Sequence, residues 1–129
     1  MILLDTHALV WLKSDSARLS KEAAKFIRDS AKKDSVAISA ITLWELAWLV
    51  ARGRLFLHRP ASDVLDRLTA GITVLPLTAE VAVVAAAFTG GYPKDPADRM
   101  IGATAIVEGI PLVTADERIR ESGAVKTVW

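Results

Sequence analysis

Apolar residues in this chain come in short unbroken runs separated by longer amphipathic stretches, and the alternation continues from end to end. Ile2-Leu3-Leu4 is one such run, closed by Asp5. Val36-Ala-Ile-Ser39, Ile72-Thr-Val-Leu75 and Ile110-Pro-Leu-Val-Thr114 are others, and Lys126-Thr-Val-Trp129 supplies a last short one. Runs without polar alternation are the pattern of strands covered on both faces, as in parallel sheets. The stretches between them carry helical spacing. Thr6 to Lys13 predicts a short helix. Ser20 is placed to cap a helix from about Lys21 to Lys33, in which Ala23, Ala24, Phe26 and Ile27 recur on one side. Ile41 to Arg52 predicts a strong helix, with Gly53 at the left-handed position that ends it. Pro60 to Leu68 predicts another, and Thr78 caps a Val- and Ala-rich helix to about Phe88. After the loop Gly90-Gly-Tyr-Pro93, Asp95 is an N-cap and Pro96 the first residue of a helix to about Glu108. Asp116 opens a last short helix.

Strands alternating with helices predict an α/β fold, a mainly parallel sheet wrapped on both faces. The length of 129 residues fits one domain with a real core, and no repeat, low-complexity segment or linker interrupts it. Hydrophobic residues reach 52%, a surplus that points to a buried sheet or an apolar partner surface. The absence of cysteine excludes disulfides, thiolate metal sites and a cysteine nucleophile. A net charge of +1 gives no global basic field to advertise nucleic-acid binding. Met1 leads straight into a strand-like run without a basic leader, and the longest apolar stretch elsewhere, Val81 to Phe88, is too short to span a bilayer. The expectation is a soluble cytoplasmic protein.

The candidate chemistry lies in four carboxylates. Asp5 and Asp116 leave strands, whereas Glu45 and Asp98 fall in early turns of helices. In a parallel α/β fold the exit of a strand and the first turn of the next helix lie at the same sheet edge, where open sheets place their sites. Crowded acids repel each other, and a divalent cation neutralises them. Mg²⁺ and Mn²⁺ take hard oxygen ligands, and such ions activate water for phosphodiester hydrolysis. His7 and His58 are the only histidines, too few for a zinc site built on imidazole.

Each residue also has a plainer reading. Asp5 and Asp116 can cap the helices that follow, Asp98 can meet a helix dipole, and capping explains Asp95 fully. Glu45, between Trp44 and Leu46 on an apolar helix, has the fewest structural reasons to be there. His7 reads as a core or supporting residue, and Arg99 as the partner of a nearby carboxylate. Lys21, Lys25, Arg28 and Lys32 form a basic stripe that reads as a solvated face, with an RNA-tracking role as the alternative. Trp44 and Trp48 read as core, with a partner surface as the alternative. Among other functions, an aspartyl-phosphate enzyme of the haloacid-dehalogenase type wants a second Asp where this chain has His7. A silent binding module is the remaining possibility.

Four segments, in order, carry a family resemblance: Leu3-Leu-Asp-Thr-His-Ala8, Ser39-Ala-Ile-Thr-Leu-Trp-Glu-Leu46, Asp95-Pro-Ala-Asp-Arg-Met-Ile101 and Leu112-Val-Thr-Ala-Asp116. Together they resemble the PIN-domain ribonucleases, and most closely the VapC-type toxins of type II toxin–antitoxin pairs. The resemblance implies a PIN-like three-layer α/β/α sandwich. It implies that Asp5, Glu45, Asp98 and Asp116 are the catalytic quartet holding Mg²⁺ or Mn²⁺, with Thr6, Ser39 and Thr114 as supporting hydroxyls. It further implies an RNA substrate, a homodimer, and a small antitoxin laid over the segments Thr6 to Lys13 and Ile41 to Leu55, where Arg52 and Arg54 meet acidic antitoxin residues. A housekeeping PIN nuclease is the alternative within the family. The chain departs from the family pattern at Tyr92-Pro-Lys94, where a histidine is usual.

Overall fold

Among the described residues every strand pairing is parallel, and one sheet runs from Thr73–Leu75 through Val36–Ser39, Ile2–Leu4 and Leu112–Val113 to Thr127–Val128. A computed structural model describes residues 1–56 and 58–129. The strands are β1 (Ile2–Leu4), β2 (Val36–Ser39), β3 (Thr73–Leu75), β4 (Leu112–Val113) and β5 (Thr127–Val128). The helices are α1 (Thr6–Ser14), α2 (Lys21–Ala31), α3 (Ala40–Ala51), α4 (Ala61–Thr69), α5 (Ala79–Ala87), α6 (Pro96–Glu108) and α7 (Glu117–Ser122). A 3₁₀ turn over Ser16–Arg18, which the apolar pattern does not announce, links α1 to α2.

The three layers follow from the two-residue period of the strands. Ile2, Leu4, Val36 and Ile38 face one side and pack with Leu9, Ala23, Ile27, Val64 and Leu68 from α1, α2 and α4. Leu3, Ala37 and Leu112 face the other and pack with Ile101, Ala105 and Ile119 from α6 and α7. Helix α5 rests on α6 through Val81, Ala85 and Ala103 rather than on the sheet. This is the expected α/β/α sandwich, with a wholly parallel sheet. Among the described residues no helix is long and apolar enough to cross a membrane.

The expected helix ends hold up with small shifts. Gly53 sits at φ 66°, and the Gly53 and Arg54 amides close the end of α3 on the carbonyls of Val50 and Leu49. Strands β4 and β5 are shorter than their apolar runs. Ile110 and Pro111 precede the β4 ladder, and proline has no amide proton to give it.

At Gly102, inside α6, a missing side chain decides the packing. Tyr92 is buried against it, so that an added Cβ would lie 2.1 Å from the tyrosine oxygen and 2.8 Å from Cζ. Tyr92 has little room to retreat, because its ring stacks on Phe88 at 4.0 Å and 7° and its hydroxyl donates to the Asp98 carbonyl at 2.8 Å. Alanine gains about 0.8–1 kcal/mol of helix propensity over glycine, but overpacking a filled site costs about 1–3 kcal/mol. With the added Cβ so close to Tyr92 the cost falls toward the upper end of that range, so Gly102→Ala is expected to lower stability by about 1–2 kcal/mol. Urea unfolding checks it, and an equal or higher midpoint in the variant would contradict this packing.

Candidate metal centre and adjoining groove

The sheet reverses its winding direction between β1 and β4, since β2 and β3 build outward on one side and β4 and β5 on the other. Such a switch point opens a crevice at the carboxyl ends of the strands. In register, Leu4 of β1 lies between Ile38 of β2 and Val113 of β4. The next residues along these three strands are Asp5, Ser39 and Thr114, all buried.

Asp5 has both carboxylate oxygens engaged. One accepts the Thr6 amide and the other the Thr114 hydroxyl, each at 2.7 Å. Thr114 Oγ1 in turn accepts the Asp116 amide at 3.1 Å, which ties the exit of β4 to Asp5. Glu45, in the second turn of α3, accepts the Thr6 hydroxyl at 2.6 Å. Thr6 Oγ1 also lies 3.1 Å from Thr42 Oγ1. With the Thr6 proton given to Glu45, Thr42 becomes the donor, and a buried hydroxyl relay backs the carboxylate. Asp116 caps α7 by accepting the Arg118 and Ile119 amides at 2.9 and 3.2 Å. Asp95 caps α6 by accepting the Asp98 amide at 3.1 Å. The Asp98 carboxylate itself accepts no hydrogen bond among the described residues.

The acids feel one another. Burial, then the charges of Asp5, Asp95, Glu45 and Asp116, push the Asp98 carboxyl from 3.8 up to about 7. Burial also raises Glu45, against the Thr6 hydrogen bond, with Asp5 and Asp95 adding to the rise. Asp5 is raised by burial although Thr114, His7 and Thr6 all pull the other way. Among the described residues no lysine or arginine pairs with any of them. The salt bridge found among the described residues, Lys25–Asp29 at 2.9 Å, lies on the exposed face of α2.

This donor set suits a hard divalent cation. It is all carboxylate and hydroxyl oxygen, and its negative charge lacks a protein counter-charge. As folded, however, no three His, Cys, Asp or Glu side chains among the described residues form a ready-made cage. Glu45 is turned onto Thr6 and Asp116 onto the α7 amides.

Ser39 stands apart from the acids. Its hydroxyl lies 3.1 Å from that of Thr104 on α6, so it joins the end of β2 to α6. Arg99 does not pair with a carboxylate either. Its guanidinium donates to the carbonyls of Pro93 and Phe88 at 2.9 and 3.0 Å and clasps the loop before α6. Tyr92 and Arg99 thus fix where Asp98 begins its helix. Glycine inside an otherwise continuous helix, with one aromatic in the preceding turn, is the sequence signal that marks this contact. His7 is exposed and tilted against Trp11 at 6.0 Å, not part of the core. Trp44 and Trp48 are not core either, with 58% and 37% of their surface exposed. The core side of α3 is taken by Thr42 and Leu46, and the tryptophans fall on the opposite side at helical spacing. They line a groove of about 580 Å³ between α3 and α6, together with Ile41, Pro96, Met100 and Glu45.

The PIN domain family model matches residues 2–124. The chain belongs to the PIN-domain family. Ribonuclease VapC22 of Mycobacterium tuberculosis (strain ATCC 25618 / H37Rv) is 38% identical over 130 residues, spanning 99% of this chain and 98% of that protein. The crystal structure of FitAcB from Neisseria gonorrhoeae superposes with a TM-score of 0.68 at 29% identity, covering 98% of this chain and 96% of that one. DNA-bound VapBC from Salmonella typhimurium gives a TM-score of 0.75 at 18% identity, over 98% and 97% of the two chains, a likeness of fold.

The raised acids set a pH dependence. Between 3.8 and about 7 the folded PIN domain holds a proton on Asp98 that the unfolded chain would release. Its stabilising contribution is complete below the unfolded value and is lost as pH rises through the folded one. Asp98→Asn mimics the neutral form, so in EDTA it should match the wild type near pH 4.5 and melt higher at pH 8. For a domain of this size, a gain of about 1 kcal/mol corresponds to about 3–6 °C. Melting curves at the two pH values check this, and an Asn variant no more stable at pH 8 would contradict it.

Proposed function

We propose that this protein is a single nuclease domain, residues 1–129, an endoribonuclease dependent on Mg²⁺ or Mn²⁺ and restrained by a small antitoxin protein. The observation that carries the reading is the mutually repelling set of acids at the sheet's switch point, Asp5 buried and Glu45, Asp98 and Asp116 half-buried, in a chain 38% identical to a ribonuclease over nearly its whole length. Asp5, Glu45, Asp98 and Asp116 are the residues that would hold the cation. When bound, a divalent cation lowers the pKa of water and offsets the charge of the phosphate under attack.

The chain's own residues do the rest. Thr114 and the Thr6 amide fix both oxygens of Asp5, so the deepest ligand keeps its orientation. Thr6, backed by Thr42, aims Glu45 at the same edge. Asp98 presents a carboxylate with no competing hydrogen bond, and near neutrality it keeps a proton that cation loading displaces. Ser39 acts at one remove, by holding α6 to the end of β2 through Thr104. The reading also includes an RNA substrate, a homodimer and a cytoplasmic location. The antitoxin would lie over α1 and α3, where the exposed Trp44 and Trp48 and the cations Arg52 and Arg54 offer an apolar and basic surface.

Incubation of a mixed RNA pool with the purified chain tests the reaction. Cleavage is expected with Mn²⁺ or Mg²⁺ and not in EDTA. The folded double variant Asp5→Asn, Asp98→Asn should lose at least about 100-fold in rate, since a cation contributes several kcal/mol at the transition state. Millimolar cation should also raise the melting temperature of the wild type and not of the double variant. Full cleavage by the double variant, or cleavage indifferent to EDTA, would overturn the mechanism.

A further inference from the structure

We propose that the groove between α3 and α6 is a nucleobase subsite, in which the Trp44 indole stacks an unpaired base of single-stranded RNA beside the phosphodiester to be cut. The inference rests on the endoribonuclease reading and extends it to how the strand is held.

Three observations carry it. The first is continuity. Thr6, Glu45 and Asp95 line the same groove as Trp44 and Trp48. A strand whose phosphate reaches the carboxylates can therefore lay a neighbouring nucleotide against Trp44, the residue next to Glu45 in the chain. The second is shape and chemistry. At about 580 Å³ the groove is within the size of small-ligand sites, and its walls are mostly carbon. Ile41, Pro96 and Met100 offer apolar contact without a row of donors and acceptors to read base edges. Such a site accepts a flat aromatic face and tolerates its identity. Trp44 and Trp48 are one turn apart, about 6 Å along the helix, which suits two separate bases better than one.

The third is the distribution of charge. The Arg52 and Arg54 guanidinium groups lie over the Trp48 ring at 5.0 and 5.8 Å. Neither has a carboxylate partner among the described residues. The groove is therefore acidic where it meets Glu45 and Asp95 and basic where it meets Trp48. A nucleic-acid strand fits both ends, with its scissile phosphate directed to the cation-holding acids and a flanking phosphate to the arginines. Continuity with the acids favours a nucleotide as the groove's occupant in the free enzyme, and an antitoxin laid over the same tryptophans and arginines would then restrain the enzyme by excluding RNA.

The test measures RNA binding in EDTA, so that no cleavage intervenes, in the Asp98→Asn background. The probe is a fluorescein-labelled single-stranded oligoribonucleotide cleaved by the wild type, alongside the same oligonucleotide with one abasic position near the cut. Trp44→Ala, Trp44→Leu and Trp44→Phe are compared, with melting curves and light scattering to establish fold and oligomeric state. Loss of one stacked base by alanine substitution corresponds to about 5- to 150-fold in affinity. Trp44→Ala and Trp44→Leu should each bind about tenfold or more weakly, Trp44→Phe should recover most of the loss, and the abasic probe should erase the difference between variants. Equal affinity of the Leu and Trp proteins would mean that the groove offers only apolar contact, and would overturn the subsite. So would unchanged RNA affinity in Trp44→Ala accompanied by loss of self-association or of a co-expressed antitoxin, which would assign the groove to a protein. A wild-type chain that neither binds nor cuts any RNA would instead overturn the endoribonuclease reading itself.

Discussion

Negative charge gathered at one edge of a parallel sheet is the constraint around which this protein is arranged. Asp5 emerges from a strand flanked on both sides, so its carboxylate cannot reach bulk water. Burying an ionised carboxylate without compensation is costly enough that the group protonates or finds partners. Here it has found hydrogen bonds from Thr114 and from the Thr6 amide, yet burial still raises its affinity for protons. Glu45, Asp98 and Asp116 are brought within electrostatic reach, and among the described residues no lysine or arginine forms a salt bridge with them. A fold under selection for stability alone would replace at least one of these acids. That it carries all four at the switch point of the sheet is a cost borne by the rest of the core, and it argues for a cation.

The second half of the chain shows how neutral contacts hold a charged one in place. Among the described residues the Asp98 carboxylate has no hydrogen-bond or salt-bridge partner, so its position is set by the backbone that carries it. Asp95 and Pro96 start the helix, Arg99 reaches back to two loop carbonyls, and Tyr92 fills the notch that Gly102 leaves open. Thr104 then joins the same helix to Ser39 at the end of β2. The one cation among these groups is Arg99, and its hydrogen bonds among the described residues go to the Pro93 and Phe88 carbonyls, not to a carboxylate. The scaffold thus orients Asp98 without neutralising it.

Much of this was legible in the order of residues. Unbroken apolar runs closed by Asp5, Ser39 and Thr114 fix strands whose ends carry polar groups, and parallel pairing brings those ends to one edge. The capping roles of Ser20, Thr78, Asp95 and Asp116 follow from residue type and are found in the structure. Strand order was not legible, because no local signal records which strand lies beside which. Nor were the contacts of Arg99, Tyr92 and Ser39, which depend on long-range packing. A guanidinium near acids suggests an ion pair, but loop carbonyls closer at hand take its donors. The tryptophans show the same limit. Apolar type argues for the core, and only the packing of α3 reveals that the core-facing side was already filled.

Helix α3 makes this last point sharper, because one element serves three surfaces. At about 100° per residue, Thr42 and Leu46 fall together and face the core, while Trp44 and Trp48 fall together on nearly the opposite side. Glu45 lies on the border between them, near enough to the core to accept the Thr6 hydroxyl and near enough to the groove to line it. The arrangement leaves no freedom of register. Rotating the helix by a single residue would send Glu45 into solvent, press a tryptophan against the sheet, and leave the Thr6 hydroxyl without its acceptor. The Ser39 to Thr104 contact at one end and the Gly53 cap at the other hold that register. The acid that completes the quartet and the aromatic surface beside it are therefore coupled by geometry. A change that moves one moves the other, and so the acidic edge and the groove belong to one site.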